Sequence, residues 1–212
     1  MKIWLDSADP AEIKKAVEAG LCDGVTTNPS LIAKAGGDNA TIIPKIVEVC
    51  DAPVLAETLS IDADGIVSEG KELAKISSNV VVKIPMAWDS LIAVKRLSQE
   101  GIPTAVTLIF NATQALLAAR SGATYIAPFV GRREDISEEG AQAIAEMVDV
   151  YQLHGLPTEL IVASIRGPLQ VKQAALAGAH GVTVPFGVLK QMAEHPLTAA
   201  GIAKFLADAG KG

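Results

Sequence analysis

The chain has 212 residues, half of them hydrophobic, a fifth charged and only 4% aromatic. That composition excludes intrinsic disorder and leaves Val, Ile, Leu and Ala to fill the interior. Eighteen basic residues against 24 acidic ones give a net charge of −6, the wrong balance for the basic footprint of a nucleic-acid-binding protein.

The first apolar run begins at Lys2 and meets a carboxylate at Asp6, too early for a secretory signal peptide. Asp9-Pro10-Ala11-Glu12 then supplies a helix N-cap, a proline in the first helical position and an acid in the third. Ile13, Ala16 and Val17 share one face of that helix, and Gly20 closes it. A second run begins at Gly24 and ends in Thr26-Thr27-Asn28; a third begins near Pro53 and carries Glu57. Cys22 and Cys50 lack metal-ligand spacing and cannot form a disulfide framework, so they are expected as free thiols of a reducing, cytoplasmic compartment.

Between Gly65 and Glu72 the chain approximates a phosphate-binding loop, but Glu72 replaces the hydroxyl residue that would hold magnesium. The segment also reads as helix rather than strand, loop and helix, so it is dismissed. The fourth run starts near Asn79 and passes through Val80-Val81-Val82 to Lys83; the fifth starts at Thr104 and covers Ala105 to Ile109, with Thr107 inside it. The sixth starts near Thr124 and is followed by Arg132 and Arg133, the seventh starts at Glu159 and is followed by Ser164 and Arg166, and the eighth starts at Gly181. Gly101, Gly122, Gly155 and Gly178 each stand just before a strand, where a helix is expected to end in a left-handed residue. Leu197 to Leu206 reads as a C-terminal helix, equally suited to the chain's own core or to a neighbouring copy. No apolar run approaches the ~18 residues of a membrane span.

Eight runs at a spacing of about 26 residues match a strand plus its crossover helix. Runs such as Leu160-Ile161-Val162-Ala163 are apolar on both faces, as in a buried parallel sheet. Together these features predict a compact (β/α)8 barrel with a C-terminal helix, expected as one domain over residues 1–212. A chain of this size buries about 70% of its surface and keeps roughly 9,300 Å² exposed, enough for one core. A doubly wound sheet is the alternative, but it would carry a G-x-G-x-x-G loop, and none occurs.

In a barrel the chemistry lies at the C-terminal ends of the strands, and those ends are polar here. Lys83, set among apolar neighbours, is either a lysine that reaches for water or a desolvated amine suited to imine formation with a ketone. Glu57 and Thr107 on flanking strands favour the imine, because a carboxylate and a hydroxyl can shuttle protons to the carbinolamine oxygen through a water. Asp6 is either a helix-start acid or the base that takes a proton from a substrate hydroxyl. Asn28 before Pro29 suits an Asx turn, and its amide also suits a substrate hydroxyl. Arg132, Ser164 and Arg166 at strand ends suit a phosphate or similar anion. His154, His180 and His195 are far apart in the chain and are read as structural.

These residues resemble the transaldolase family, in particular its small single-domain branch. Asp23-Gly24-Val25-Thr26-Thr27-Asn28-Pro29-Ser30-Leu31 is similar to the family's N-terminal signature, and Val82-Lys83-Ile84-Pro85-Met86 to its Schiff-base lysine motif. Thr107 to Asn111, Pro128 to Arg132 and Ala163 to Arg166 match as well. The resemblance implies Lys83 as the imine-forming lysine, Asp6 as acid/base at the cleaved bond, and Glu57 and Thr107 as the water relay. It implies that Thr26, Asn28 and Phe129 line the substrate site and that Arg132, Ser164 and Arg166 hold the distal phosphate. It also implies no metal or organic cofactor, and a homo-oligomer, commonly two stacked pentamers, whose C-terminal helix packs on a neighbour. The sister fructose-6-phosphate aldolases typically carry Gln at the position of Glu57 and a catalytic Tyr at that of Phe129, so both residues here point to transaldolase. Ala87, Trp88, Ala127 and Gly167 depart from the usual pattern near the mouth, which leaves phosphorylated and sulfonated ketoses both open as substrates. A non-catalytic sugar-phosphate-binding barrel would need the anion site but none of Lys83, Glu57, Thr107 and Asp6.

Overall fold

A computed structural model describes residues 1–211. Its strands are β1 (Lys2–Asp6), β2 (Gly24–Thr26), β3 (Val54–Glu57), β4 (Val80–Pro85), β5 (Thr104–Ile109), β6 (Tyr125–Pro128), β7 (Glu159–Val162) and β8 (Gly181–Val184). All eight begin within one residue of the expected starts. They pair in parallel in sequence order, and β8 returns to β1, so the barrel is closed.

Single helices connect most strands: α1 (Pro10–Glu18), α4 (Ala63–Ala74), α5 (Trp88–Gln99), α6 (Ala112–Arg120) and α9 (Pro168–Leu176). Two connections are richer than the expected strand-plus-helix unit. Between β2 and β3 lie α2 (Pro29–Lys34) and α3 (Asn39–Val47), and between β6 and β7 lie α7 (Gly131–Glu134) and α8 (Gly140–Leu153). The first break follows from local chemistry: Gly36 adopts φ +82°, and Asp38 then starts a fresh helix with a reciprocal capping box to Thr41. After β8 come α10 (Phe186–Ala193) and α11 (Pro196–Asp208). Asp9 caps α1 by accepting from the Ala11 N–H at 2.8 Å, as its sequence context predicts. Gly20, Gly101, Gly122, Gly155 and Gly178 all have positive φ.

Two layers fill the barrel. The outer faces of the strands, such as Leu5, Val25, Val82 and Val184, pack under the helices. Inside, Trp4, Leu55, Val81, Ala105 and Ile161 form a separate buried cluster with Tyr125 against it. The Trp4 and Tyr125 rings meet edge-on at 5.2 Å. Trp4 fits only because its register partner is Gly24, where a Cβ would lie 2.4 Å from the indole. Side chains alternate along a strand, so the residue two places beyond each of these six, and beyond Gly24 and Gly181 at the same level of β2 and β8, faces the same interior, one layer nearer the C-terminal mouth. From β1 to β8 those residues are Asp6, Thr26, Glu57, Lys83, Thr107, Ala127, Ala163 and Thr183.

The sequence predicts an unbroken fifth strand, but β5 carries an irregularity. Its register with β6 shifts between Thr107 and Ile109, and Leu108 takes φ +56°. A bulge of this kind re-aims its neighbours, and here it sits beside Thr107. Cys22 and Cys50 are free thiols. Cys22 donates to the Gly24 carbonyl, and the proximity of the two thiols pushes Cys22 up and brings Cys50 down to about 7. No helix among the described residues is long and apolar enough to cross a membrane.

Candidate active site

The upper interior layer opens into a cavity of about 410 Å³. Every residue expected at the site lines it except Arg166: Asp6, Thr26, Asn28, Glu57, Lys83, Thr107, Phe129, Arg132 and Ser164. Ala127, Ala163, Leu108 and Thr183 complete much of the wall. A second cavity of about 540 Å³ adjoins it and shares Asp6.

Lys83 is buried on β4, directly opposite its register partner Glu57 on β3. Its Nζ lies 2.9 Å from Glu57 Oε2 and donates to the Thr27 carbonyl at 2.7 Å. Adjacent strands in fixed register hold the pair, so its separation does not depend on loop conformation. Attack on a ketone requires a neutral amine, so a proton must first leave Nζ, and Glu57 is in contact to receive it. The Thr107 hydroxyl is buried with no hydrogen-bond partner among the described residues. A buried hydroxyl without a partner is costly, and this one faces the cavity, where a water or a substrate oxygen can satisfy it.

Asp6 ends β1 and is not a helix-start acid. Its Oδ1 accepts from the Thr26 hydroxyl at 2.9 Å. Burial pushes its carboxyl above the usual range, against the pull of the Lys83 ammonium and the Thr26 hydrogen bond; Glu57 adds a smaller upward push. A raised carboxyl beside an amine is the environment expected of an acid/base group. Asn28 caps α2 with Oδ1, accepting from Leu31 N–H at 3.0 Å. The capping role and the cavity role are therefore compatible, because the cap leaves the Nδ2 amide for another partner.

The rim is built differently. The Arg132 guanidinium lies over the Phe129 ring, 5.0 Å from its centre. Arg133, the other cation after β6, does not join the mouth: it donates to the Phe110 carbonyl and pairs with Glu138 at 3.0 Å. Ser164 holds φ +61° just beyond β7, strain that is common at functional sites. Arg166 grips the Asp135 carboxylate with both Nη groups, which holds that carboxyl below its usual range. Its Nε stays near Ser164: a Cβ on Gly131 would lie 2.9 Å from Arg166 Nε and 3.0 Å from Ser164 Oγ.

Thr183 was not expected from the sequence. It is the one polar residue of Gly181-Val182-Thr183-Val184, and the alternation that places Lys83 and Asp6 also places Thr183 in the mouth layer. His180 and His195 have structural bonds: each accepts a backbone N–H through Nδ1, from Leu160 and Leu197 respectively.

A parallel barrel whose floor carries a buried lysine, two carboxylates and three threonines points to aldol-type chemistry, and comparison with known proteins agrees. The Transaldolase/Fructose-6-phosphate aldolase family matches residues 3–211. A "Probable transaldolase" from Anaeromyxobacter sp. (strain Fw109-5) is 52% identical over 98% of this chain and 97% of its own length. One from Shouchella clausii (strain KSM-K16) is 53% identical over 100% of this chain and 98% of its own. "Probable transaldolase 1" of Listeria monocytogenes serotype 4b (strain F2365) is 52% identical over 98% and 97%. The chain belongs to the transaldolase/fructose-6-phosphate aldolase family. It is an enzyme of that family, and these relatives place it on the transaldolase side.

Proposed function

We propose that this enzyme moves a dihydroxyacetone unit from a ketose phosphate to an aldose phosphate through an imine on Lys83. The observation that carries the reading is the buried Lys83–Glu57 contact at 2.9 Å, in one cavity with Asp6 and the unpartnered Thr107 hydroxyl. Lys83 adds to the ketone carbonyl, and Glu57 and Thr107 pass protons through a water so that the carbinolamine oxygen leaves as water. Asp6 takes the proton of the C4 hydroxyl, the C3–C4 bond breaks, and its electrons enter the iminium to give an enamine. The aldehyde departs, a second aldehyde accepts the enamine, and the steps reverse. The donor and acceptor we assign are fructose 6-phosphate and erythrose 4-phosphate, giving sedoheptulose 7-phosphate and glyceraldehyde 3-phosphate, as in the pentose phosphate pathway. Arg132, Ser164 and Arg166 would meet the distal anion.

Borohydride reduction in the presence of fructose 6-phosphate tests the chemistry. One three-carbon or six-carbon adduct on Lys83 is expected, and label on another lysine overturns the mechanism. Phe129 has no proton to give the enamine carbon, which supports transfer over release. Phe129→Tyr should therefore raise the formation of free dihydroxyacetone without an acceptor and lower transfer. An unmodified enzyme that releases dihydroxyacetone as fast as it transfers would be an aldolase instead. A donor panel that sets 6-deoxy-6-sulfofructose against fructose 6-phosphate separates the sulfonate from the phosphate reading.

We also propose that α11 packs on a second copy of the chain in a ring-built homo-oligomer. None of its residues is buried, and Leu197, Ile202, Phe205 and Leu206 are exposed on it. The isolated chain exposes 10638 Å², about 1,300 Å² more than the scaling law gives for its size. Light scattering of the full chain and of a Phe205→Asp variant tests this; a monomeric unmodified protein overturns it.

A further inference from the structure

Thr183 lines the active-site cavity, yet the reaction proposed above gives it no task. It is buried on β8, with its Oγ1 2.7 Å from Oγ1 of Thr26. Thr26 Oγ1 is in turn 2.9 Å from Asp6 Oδ1. Each hydroxyl has a single proton to donate, and an ionised carboxylate only accepts. When Asp6 is ionised, Thr26 directs its proton to Asp6, so the proton in the Thr183–Thr26 contact comes from Thr183. The chain of donation runs from Thr183 to Thr26 to Asp6.

We propose that Thr183 is a positioning residue: its hydroxyl fixes the direction in which Thr26 donates, which keeps Asp6 ionised with Oδ1 occupied and leaves Oδ2 to take the substrate proton. The inference rests on the reading of Asp6 as the acid/base group. A donor that itself accepts a hydrogen bond becomes a stronger donor, so Thr183 strengthens the Thr26–Asp6 bond. The need is real, because burial and Glu57 on β3 disfavour the charge, while Lys83 on β4 and Thr26 on β2 favour it. The remaining charged groups are Arg132 on the rim of the same cavity and, across the adjoining cavity, Asp9 and Glu12 around α1, Lys34 on α2 and Lys45 on α3. None of them makes a hydrogen bond to Asp6 among the described residues, so the two-hydroxyl chain is its hydrogen-bonded support, acting beside the attraction of the Lys83 ammonium.

The test uses the full-length enzyme with Thr183→Val, Thr183→Ser and Thr26→Val. Two quantities are read: the titration of Asp6 by carboxyl 13C NMR, and the pH profile of kcat/KM for transfer. Loss of the direct donor in Thr26→Val should move both the titration and the acid limb up by about one unit. Thr183→Val should move both up by about half a unit, with kcat/KM recovering on the alkaline side. Thr183→Ser should match the unmodified enzyme. An Asp6 titration that stays in place or falls in Thr183→Val overturns the proposal, as does a loss that is equal at every pH. If the unmodified enzyme transfers nothing, or Asp6→Asn transfers normally, the underlying reading fails instead, and the NMR titration still decides what Thr183 does to Asp6.

Discussion

Two ion pairs mark two depths of the same mouth. At the floor, Lys83 and Glu57 are 6% and 12% exposed and sit opposite each other on adjacent strands. At the rim, Arg166 and Asp135 are 54% and 50% exposed and stand on the connections after β7 and α7. The floor pair is positioned by the ladder itself, so the groups proposed to meet a reacting carbon stand where the backbone cannot drift. The rim pair is solvated, and such pairs contribute little to stability. Leaving Asp135 would therefore cost Arg166 little, as the proposed role in holding a substrate anion requires. Of the three non-glycine residues with positive φ among the described residues, two, Leu108 and Ser164, line the cavity where floor gives way to rim.

Removing one partner from each pair breaks the comparison most directly. Lys83→Met deletes the proposed nucleophile, so transfer and borohydride labelling should both fall to background. It also leaves Glu57 buried without its cation, which costs about 3–5 kcal/mol. Thermal unfolding should show that loss, and Lys83→Met with Glu57→Gln should recover most of the stability and none of the labelling. The matching rim change, Asp135→Ala, should leave Tm unmoved. Equal Tm values for Lys83→Met and the unmodified enzyme would mean that the floor pair is no tighter than the rim pair.

Anion selectivity sharpens the comparison from the other side. Arg132→Ala should lower kcat/KM for phosphorylated substrates by about 10- to 150-fold and leave unphosphorylated dihydroxyacetone nearly unaffected. Arg166→Ala should act in the same direction but less, because Arg166 must first share its fork with Asp135. Equal losses for both kinds of substrate would reject the rim as the anion site.

Asp6 contrasts with both pairs, because its placement works against the fold. Burial holds its folded value above the ordinary 3.8, so between those two values the folded enzyme binds this proton more tightly than the unfolded chain. Stability therefore falls as pH rises from about 3.8 through the folded value. Asp6→Asn should be more stable than the unmodified enzyme at pH 7, by a few degrees in Tm, and inactive in transfer. The stability gain should vanish below pH 3.8, and a Tm lower than the unmodified enzyme at pH 7 would contradict the sign.

The floor was far more legible in the sequence than the rim, for a physical reason. Strand starts and the polar residues at strand ends stand out in the sequence as continuous apolar runs and the polar residues that interrupt or close them, which exposes Asp6, Thr26, Glu57, Lys83 and Thr107. Alternation along the folded strands then puts them in one layer. Thr183 obeys the same alternation but looks like an ordinary threonine of a buried strand, since its partner Thr26 is 157 residues away. Arg133 and Arg166 could not be aimed from sequence, because a long side chain on a connection turns to whichever carboxylate or carbonyl the loop presents. Nothing about Leu108 announces a positive φ, which bulky residues avoid; tertiary pairing with β6 imposes it. The C-terminal helix is amphipathic enough to suit either partner, and only the fold shows that the chain's own core does not take it.

The smallest effects concern how the helices around the mouth begin. Asn28 and Asn111 cap α2 and α6 through their side chains, at 3.0 and 2.9 Å. Ala87 and Gly167 stand in the same position before α5 and α9 and offer no side-chain acceptor. Both have the extended backbone a capping residue needs, with φ −157° at Ala87 and −172° at Gly167. A side chain at Gly167 would meet open space. Thr at position 87 and Asn at position 167 would each accept an N–H from the first turn that follows. Ala87→Thr should therefore raise stability by about 1 kcal/mol, or roughly 2–4 °C in Tm. Gly167→Asn should add only a few tenths of a kcal/mol, because glycine is itself a tolerable cap. Neither residue lines the cavity, so Ala87→Thr should leave transfer unchanged. An Ala87→Thr enzyme with unchanged Tm would show that solvent already satisfies the first turn of α5, and that the uncapped rim helices lose nothing relative to the capped ones.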